Sequence, residues 1–149
     1  MDAYIDGVRV AGTTDGPVPV VLIGVNDEDS RLLPIFIGFD EAVSIARGLD
    51  ARDIGRPLTH DLMLDIIEEL GGRIDQVVVS GLEEGTFVAD LHLDTPRSGA
   101  VIDARPSDSL ALASRTNASI AVVEDVFEEG GRPGEEFEDL EDIREVTEL

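Results

Sequence analysis

The chain has 149 residues, a length that suits one domain built around one core. Its 33 acidic residues outnumber 11 basic ones, all of them arginine, for a formal charge of −22. With 42% hydrophobic residues set in periodic runs such as VVLIGV and QVVVSGL, the sequence folds rather than staying disordered, and the lack of cysteine excludes disulfides, zinc–thiolate sites and thiol catalysis. A lysine-free, carboxylate-rich surface fits a salt-loving host, because salt screens the self-repulsion of so many like charges. The opening MDAYIDGVRV has neither the basic region nor the apolar stretch of a signal peptide. No apolar run approaches the ~20 residues of a membrane span, so a soluble cytoplasmic protein is expected.

In chain order, residues 4–11, 18–25 and 32–37 read as strands separated by the turn segments GTTDGP and NDEDS, an antiparallel meander. Helical spacing begins near Asp40, the expected N-cap, with Ala42, Ile45, Ala46 and Leu49 as the apolar stripe. Thr59 is the expected cap of a second helix burying Leu62, Met63, Ile66, Ile67 and Leu70, and Gly71-Gly72 ends it. Strands resume at 74–82, turn at EEGT and continue over 87–93, where Phe87, Ala89, Leu91 and Leu93 alternate with Val88, Asp90, His92 and Asp94. A strand over 100–104 leads through Arg105-Pro106 into a third helix over 108–116, with Ser107 as its cap and Asn117 at a left-handed end. Residues 119–123 form a last short strand. The predicted fold is α+β: a single compact domain with a mixed, largely antiparallel sheet and about three main helices.

From residue 124 onward, 12 of 26 residues are Asp or Glu, interrupted by GGRPG. Phe137, Leu140, Ile143 and Val146 recur at helical spacing, but charge dominates. The expected division is a domain over 1–130 and an acidic tail or short helix over 131–149.

Two junctions concentrate polar residues. In DARPSD, Asp103 and Arg105 lie two apart and project from one strand face; Pro106 ends the strand; Asp108 falls in the first helical turn, where backbone N–H groups favour a carboxylate. In RPLTHD, Arg56 precedes Pro57, Thr59 caps, and His60 and Asp61 occupy the first turn. A helix start beside an arginine suits phosphate, and the imidazole and carboxylates suit proton transfer or a hard divalent ion. The competing reading makes each junction a capped corner fixed by an ion pair. The Asp90, His92, Asp94 face has metal-like spacing but reads as a solvated strand face. If both junctions serve one site, the second and third helices start on the same sheet edge and His60 lies near Asp103, Arg105 or Asp108.

The ordered motifs LPIFIG-x-x-EA (33–42), RPLTHDL (56–62) and DARPSDSLALA (103–113) resemble those of the bifunctional nuclease family over about residues 3–130, and the composition points to a haloarchaeal-type member. The resemblance implies a compact dimer-forming domain and, from some plant members, degradation of DNA and RNA. It carries over by position the polar residues Glu41, Arg56, Thr59, His60, Asp61, Asp103, Arg105, Ser107 and Asp108. On that footing the expected function is a nuclease-like phosphodiesterase acting on DNA, RNA or both. Arg56, Arg105, Thr59 and Ser107 would bind phosphate; His60, Asp61, Asp103, Asp108 and Glu41 would form the catalytic set; Asp103 and Asp108 would hold Mg²⁺ or Mn²⁺. The alternative is a non-enzymatic dimeric module, regulatory or ligand-binding. The charge of −22 and the missing basic stripe weigh against broad contact with a polyanion.

Overall fold

Three antiparallel strands open the chain: β1 (Asp2–Thr13), β2 (Gly16–Val25) and β3 (Arg31–Phe36). The computed structural model describes residues 1–26, 29–52 and 57–149. Alternation splits β2 between two apolar layers. Val21, Ile23 and Val25 enter the main core, while Val20 and Leu22 face a smaller cluster on the opposite side. A second meander contains β4 (Arg73–Glu83), β5 (Thr86–Asp94) and β6 (Gly99–Ala104). Its first turn places Glu84 and Gly85 at φ of 51° and 80°, the positive pair that a tight hairpin matched to strand twist requires. Between the meanders lies β7 (Ser119–Val122), antiparallel to β1 and parallel to β4. The resulting sheet runs β6-β5-β4-β7-β1-β2-β3 and is mixed and largely antiparallel, as predicted.

Helices α1 (Phe39–Leu49), α2 (Thr59–Glu69) and α3 (Pro106–Ser114) pack on the face that carries the main core. Ala42, Ile45 and Ala46 form the buried stripe of α1 that spacing predicts. On α2 the buried apolar residue is Leu64, with Ile67 packed beside it, whereas Leu62, Met63, Ile66 and Leu70 are exposed. The predicted stripe is therefore rotated outward. Helix α3 is buried on nearly all sides, and its small residues let α1 approach closely: a Cβ on Gly48 would lie 2.8 Å from that of Ser114.

The caps fall earlier than predicted. Gly38, Leu58 and Arg105 are the N-caps, so Asp40, Thr59 and Ser107 lie inside their first turns. Pro106 explains the last case, since its fixed φ suits the first helical position and starts α3 before Ser107. The C-cap of α3 is Arg115 at φ −98°, and Asn117 holds no left-handed turn.

The acidic C-terminal segment is folded rather than frayed. After α4 (Glu124–Gly130) come β8 (Arg132–Pro133), a single 3₁₀ turn (Gly134–Phe137), β9 (Glu141–Asp142) and α5 (Ile143–Val146). β8 pairs with β3 and β9 with β1. Ile143 enters the main core, Phe137 closes the cluster over Val20 and Leu22, and Arg144 binds Asp50 at 2.7 Å. The apolar residues at helical spacing outweigh the charge because the carboxylates remain at the rim, several of them paired with arginine. No helix among the described residues is long and apolar enough to cross a membrane.

Candidate active site

The three helices meet along a polar seam. Glu41 and Ser44 come from α1, His60 and Asp61 from the first turn of α2, and Arg105, Asp108 and Arg115 from the two ends and first turn of α3. His60 is central and 9% exposed. Its Nε2 lies 3.0 Å from Asp108 Oδ1 and its Nδ1 lies 2.6 Å from Ser44 Oγ. Arg115 donates to that same Ser44 Oγ at 3.1 Å, to Asp61 Oδ1 at 2.7 Å and to the Ala111 carbonyl at 2.8 Å. Arginine can only donate, so Ser44 accepts from Arg115 and retains its own proton for His60 Nδ1. In the neutral ring this network assigns the remaining proton to Nε2, which donates it to Asp108.

On its other side Asp108 receives Arg105. Arg105 Nε donates to Oδ2 at 2.9 Å and Nη2 to Oδ1 at 3.2 Å, the two-pronged geometry that orients a guanidinium. Its Nη1 lies 3.7 Å from Glu41 Oε1. Burial disfavours the charged form of Asp108, but hydrogen bonds from Arg105 and His60 outweigh it and lower the pKa. For Asp61 burial is likewise outweighed, by Arg115 and by the backbone N–H of Leu58 at 3.2 Å, and the pKa is lowered. The seam is thus a continuous chain: Glu41, Arg105, Asp108, His60, Ser44, Arg115, Asp61.

The Glu41–Arg105 end of it opens on a cleft. Glu41 and Arg105 line a cleft of about 450 Å³ with Phe36, Gly38, Phe87, Gly85, Thr86 and Ser107 among its walls. Ser107 is buried among its lining residues and Thr59 is exposed outside it. The convergence expected of the two Arg-Pro junctions is present, carried by His60 and Asp108. Arg56 lies outside the described residues.

A family model for the bifunctional nuclease domain matches residues 20–134, from within β2 to the 3₁₀ turn, and so takes in every member of the seam. The chain belongs to that family. In Mycobacterium tuberculosis, proteins from two strains, each described as uncharacterized, are 42% identical to this bifunctional nuclease domain over 130 residues, 87% of this chain and 76% of theirs. Bifunctional nuclease 2 of Arabidopsis thaliana is 26% identical over 109 residues, 71% of this chain and 33% of the plant protein.

The bifunctional nuclease domain departs from the sequence expectation at Asp103. Strand β6 ends at Ala104, so Arg105 turns away as a helix cap instead of sharing a strand face with Asp103. Asp103 sits opposite Asp90, and directly opposed residues share a face. That face is the reverse of the one where Ala89 and Leu91 are buried toward α2 and α3. Asp103 and Asp108 therefore do not share an ion site, and both Asp108 oxygens are already bonded. The expected Asp103–Asp108 pair does not fit a shared Mg²⁺ or Mn²⁺ because Asp103 projects from the sheet face turned away from α3, and among the described residues no cluster of three or more His, Asp or Glu is placed to hold a metal.

Sequence reading missed Ser44 and Arg115. A signal existed in each case. Ser44 lies three residues after Glu41, on the same side of α1, and Arg115 lies seven after Asp108, two turns along α3.

Proposed function

We propose that the domain is a nuclease-like phosphodiesterase acting on DNA, RNA or both, in the cytoplasm of a salt-adapted host. One arrangement supports this beyond family membership: the His60–Asp108 pair holds an arginine whose far edge opens on a cleft, with a carboxylate beside it. Arg105 would bind a non-bridging phosphate oxygen and offset the charge that grows there as water adds to phosphorus. Glu41, on the cleft wall, would take the attacking water's proton, while the P–O bond to the leaving sugar oxygen breaks and that oxygen gains a proton from solvent. His60 and Asp108 position Arg105; Arg115 and Asp61 position His60 through Ser44 and the start of α2. Asp103 has no part in this chemistry.

The test uses labelled single-stranded DNA and RNA across a KCl series, each with Mg²⁺, Mn²⁺ or chelator. The native domain should cleave at least one substrate, and Arg105→Gln or Glu41→Gln should slow it by about 100-fold or more. Asp103→Asn should leave the rate unchanged. Equal cleavage by all these variants would identify a contaminant and end this reading.

A second reading, a homodimeric regulatory or ligand-binding module without catalysis, draws on a different observation. Leu58, Leu62, Ile66 and Leu70 form an exposed apolar stripe at four-residue spacing along α2. No cleavage under any of those conditions, with Ile66→Glu converting a dimer to monomer in light scattering, would favour it.

A further inference from the structure

The cleft beside Arg105 contains more than a phosphate contact requires. Strand β3 buries Leu33 and Ile35 in the core, and alternation turns Phe36 the other way, leaving it 58% exposed on the cleft wall. Phe87 lines the same cleft. Aromatic residues are only 4% of the chain, so two of them beside an oriented guanidinium are a notable local concentration. The Glu84–Gly85 turn borders the space without filling it: a Cβ on Gly85 would meet nothing within 4 Å. A volume of about 450 Å³ lies within the range of small-ligand pockets.

Charge narrows the ligand. A net charge of −22 disfavours broad contact with a long phosphate backbone, and salt that screens the repulsion also removes the counterion-release gain. Stacking of a base on an aromatic ring does not depend on counterions and tolerates any base. Recognition that survives in salt is therefore weighted toward one exposed aromatic face and one local arginine.

We propose that this cleft is a nucleotide subsite, in which an unpaired base stacks on Phe36 while its phosphate meets Arg105. Glu41, beside Arg105 on the cleft wall, disfavours a second phosphate there. A base paired within a duplex has both faces stacked, so the subsite selects unpaired nucleotides. This deepens the phosphodiesterase reading and rests on it for the identity of the polymer, but the binding itself does not require cleavage.

Isothermal titration in chelator compares adenosine 5′-monophosphate, ribose 5-phosphate and inorganic phosphate at equal salt. The nucleotide should bind about tenfold tighter than ribose 5-phosphate. Phe36→Ala should erase that difference while leaving ribose 5-phosphate binding intact, and Arg105→Gln should weaken both. The exposed position of Phe36 makes the variant foldable, which circular dichroism checks. Equal affinity for nucleotide and ribose 5-phosphate, an unaltered Phe36→Ala, or no nucleotide binding at millimolar concentration would overturn the subsite. Nucleotide binding with the expected variant pattern but no strand cleavage would remove the catalytic reading alone. Cleavage whose KM ignores Phe36→Ala would remove the subsite alone.

Discussion

Removing Arg115 should loosen the packing of three helices at once. Its side chain is 9% exposed and donates to Asp61, Ser44 and the Ala111 carbonyl, tying α1 and α2 to the end of α3. A hydrogen bond to a charged group contributes about 1.5–3 kcal/mol, and breaking a fully buried ion pair costs about 3–5 kcal/mol. Asp61 is 37% exposed and regains water when abandoned, which pulls the expected loss for Arg115→Met down to about 2–3 kcal/mol. For a chain of this size that lowers Tm by roughly 5–10 °C. A double-mutant cycle with Asp61→Asn, read by thermal and urea unfolding at fixed salt, should give a coupling of about 1–2 kcal/mol. The exposed Arg73–Asp94 pair at 3.3 Å is an internal control, expected below about 1 kcal/mol. A coupling for Arg115–Asp61 no larger than that control would refute the claim that burial of the guanidinium gives the seam its strength.

Further outcomes follow from the same structure. Folding lowers the pKa of Asp108 and Asp61 although burial opposes it, because arginine and other donors prevail. The unfolded chain then binds protons more readily than the folded one, so the stability these groups contribute is full above their unfolded pKa of about 4 and drains away as pH falls through the lowered folded values. Urea midpoints measured against pH should show this acid limb, and Asp108→Asn should flatten it. Phe137→Ala should destabilise by about 3–5 kcal/mol in urea unfolding, because the ring closes the cluster over Val20 and Leu22; a change under about 0.5 kcal/mol would mean that the C-terminal segment does not dock in solution. Diluting KCl from molar to about 0.01 M lengthens the screening distance from about 3 Å to 30 Å, so Tm should fall steadily; a constant Tm would contradict adaptation to salt.

Much of the architecture is legible in local pattern. The strict alternation from Phe87 to Leu93 announces a strand with one buried face, and EEGT announces its turn. The paired Arg-Pro junctions announce helix starts, and their polar residues do converge. The errors arise where one period hands over to another. Asp103 and Arg105 share a face only while the strand lasts, and it stops one residue before the arginine. The outward stripe of α2 could not be recognised because a sequence shows which residues are apolar and not which of two apolar arcs the sheet will cover. Ser44 and Arg115 are separated by 71 positions and matter only once α1 crosses α3. At the C-terminus the count of carboxylates concealed two well-spaced anchors, Phe137 and Ile143, although packing responds to the anchors.

The position of β7 carries a consequence for how the chain reaches this state. Each three-strand meander pairs strands that are neighbours in sequence and can form locally, but the four-residue parallel pairing of β7 with β4 joins positions 43 apart, as Gln76 opposite Ser119 shows. Both β6 and α3 lie between β4 and β7 in the chain and must be spanned before that register can close. Assembly should therefore be two fast local events followed by one slow closure at β7, with the loop-closure entropy paid last. Val122 and its neighbours are where late folding should register, in amide protection that lags behind the two hairpins during pulse-labelled refolding.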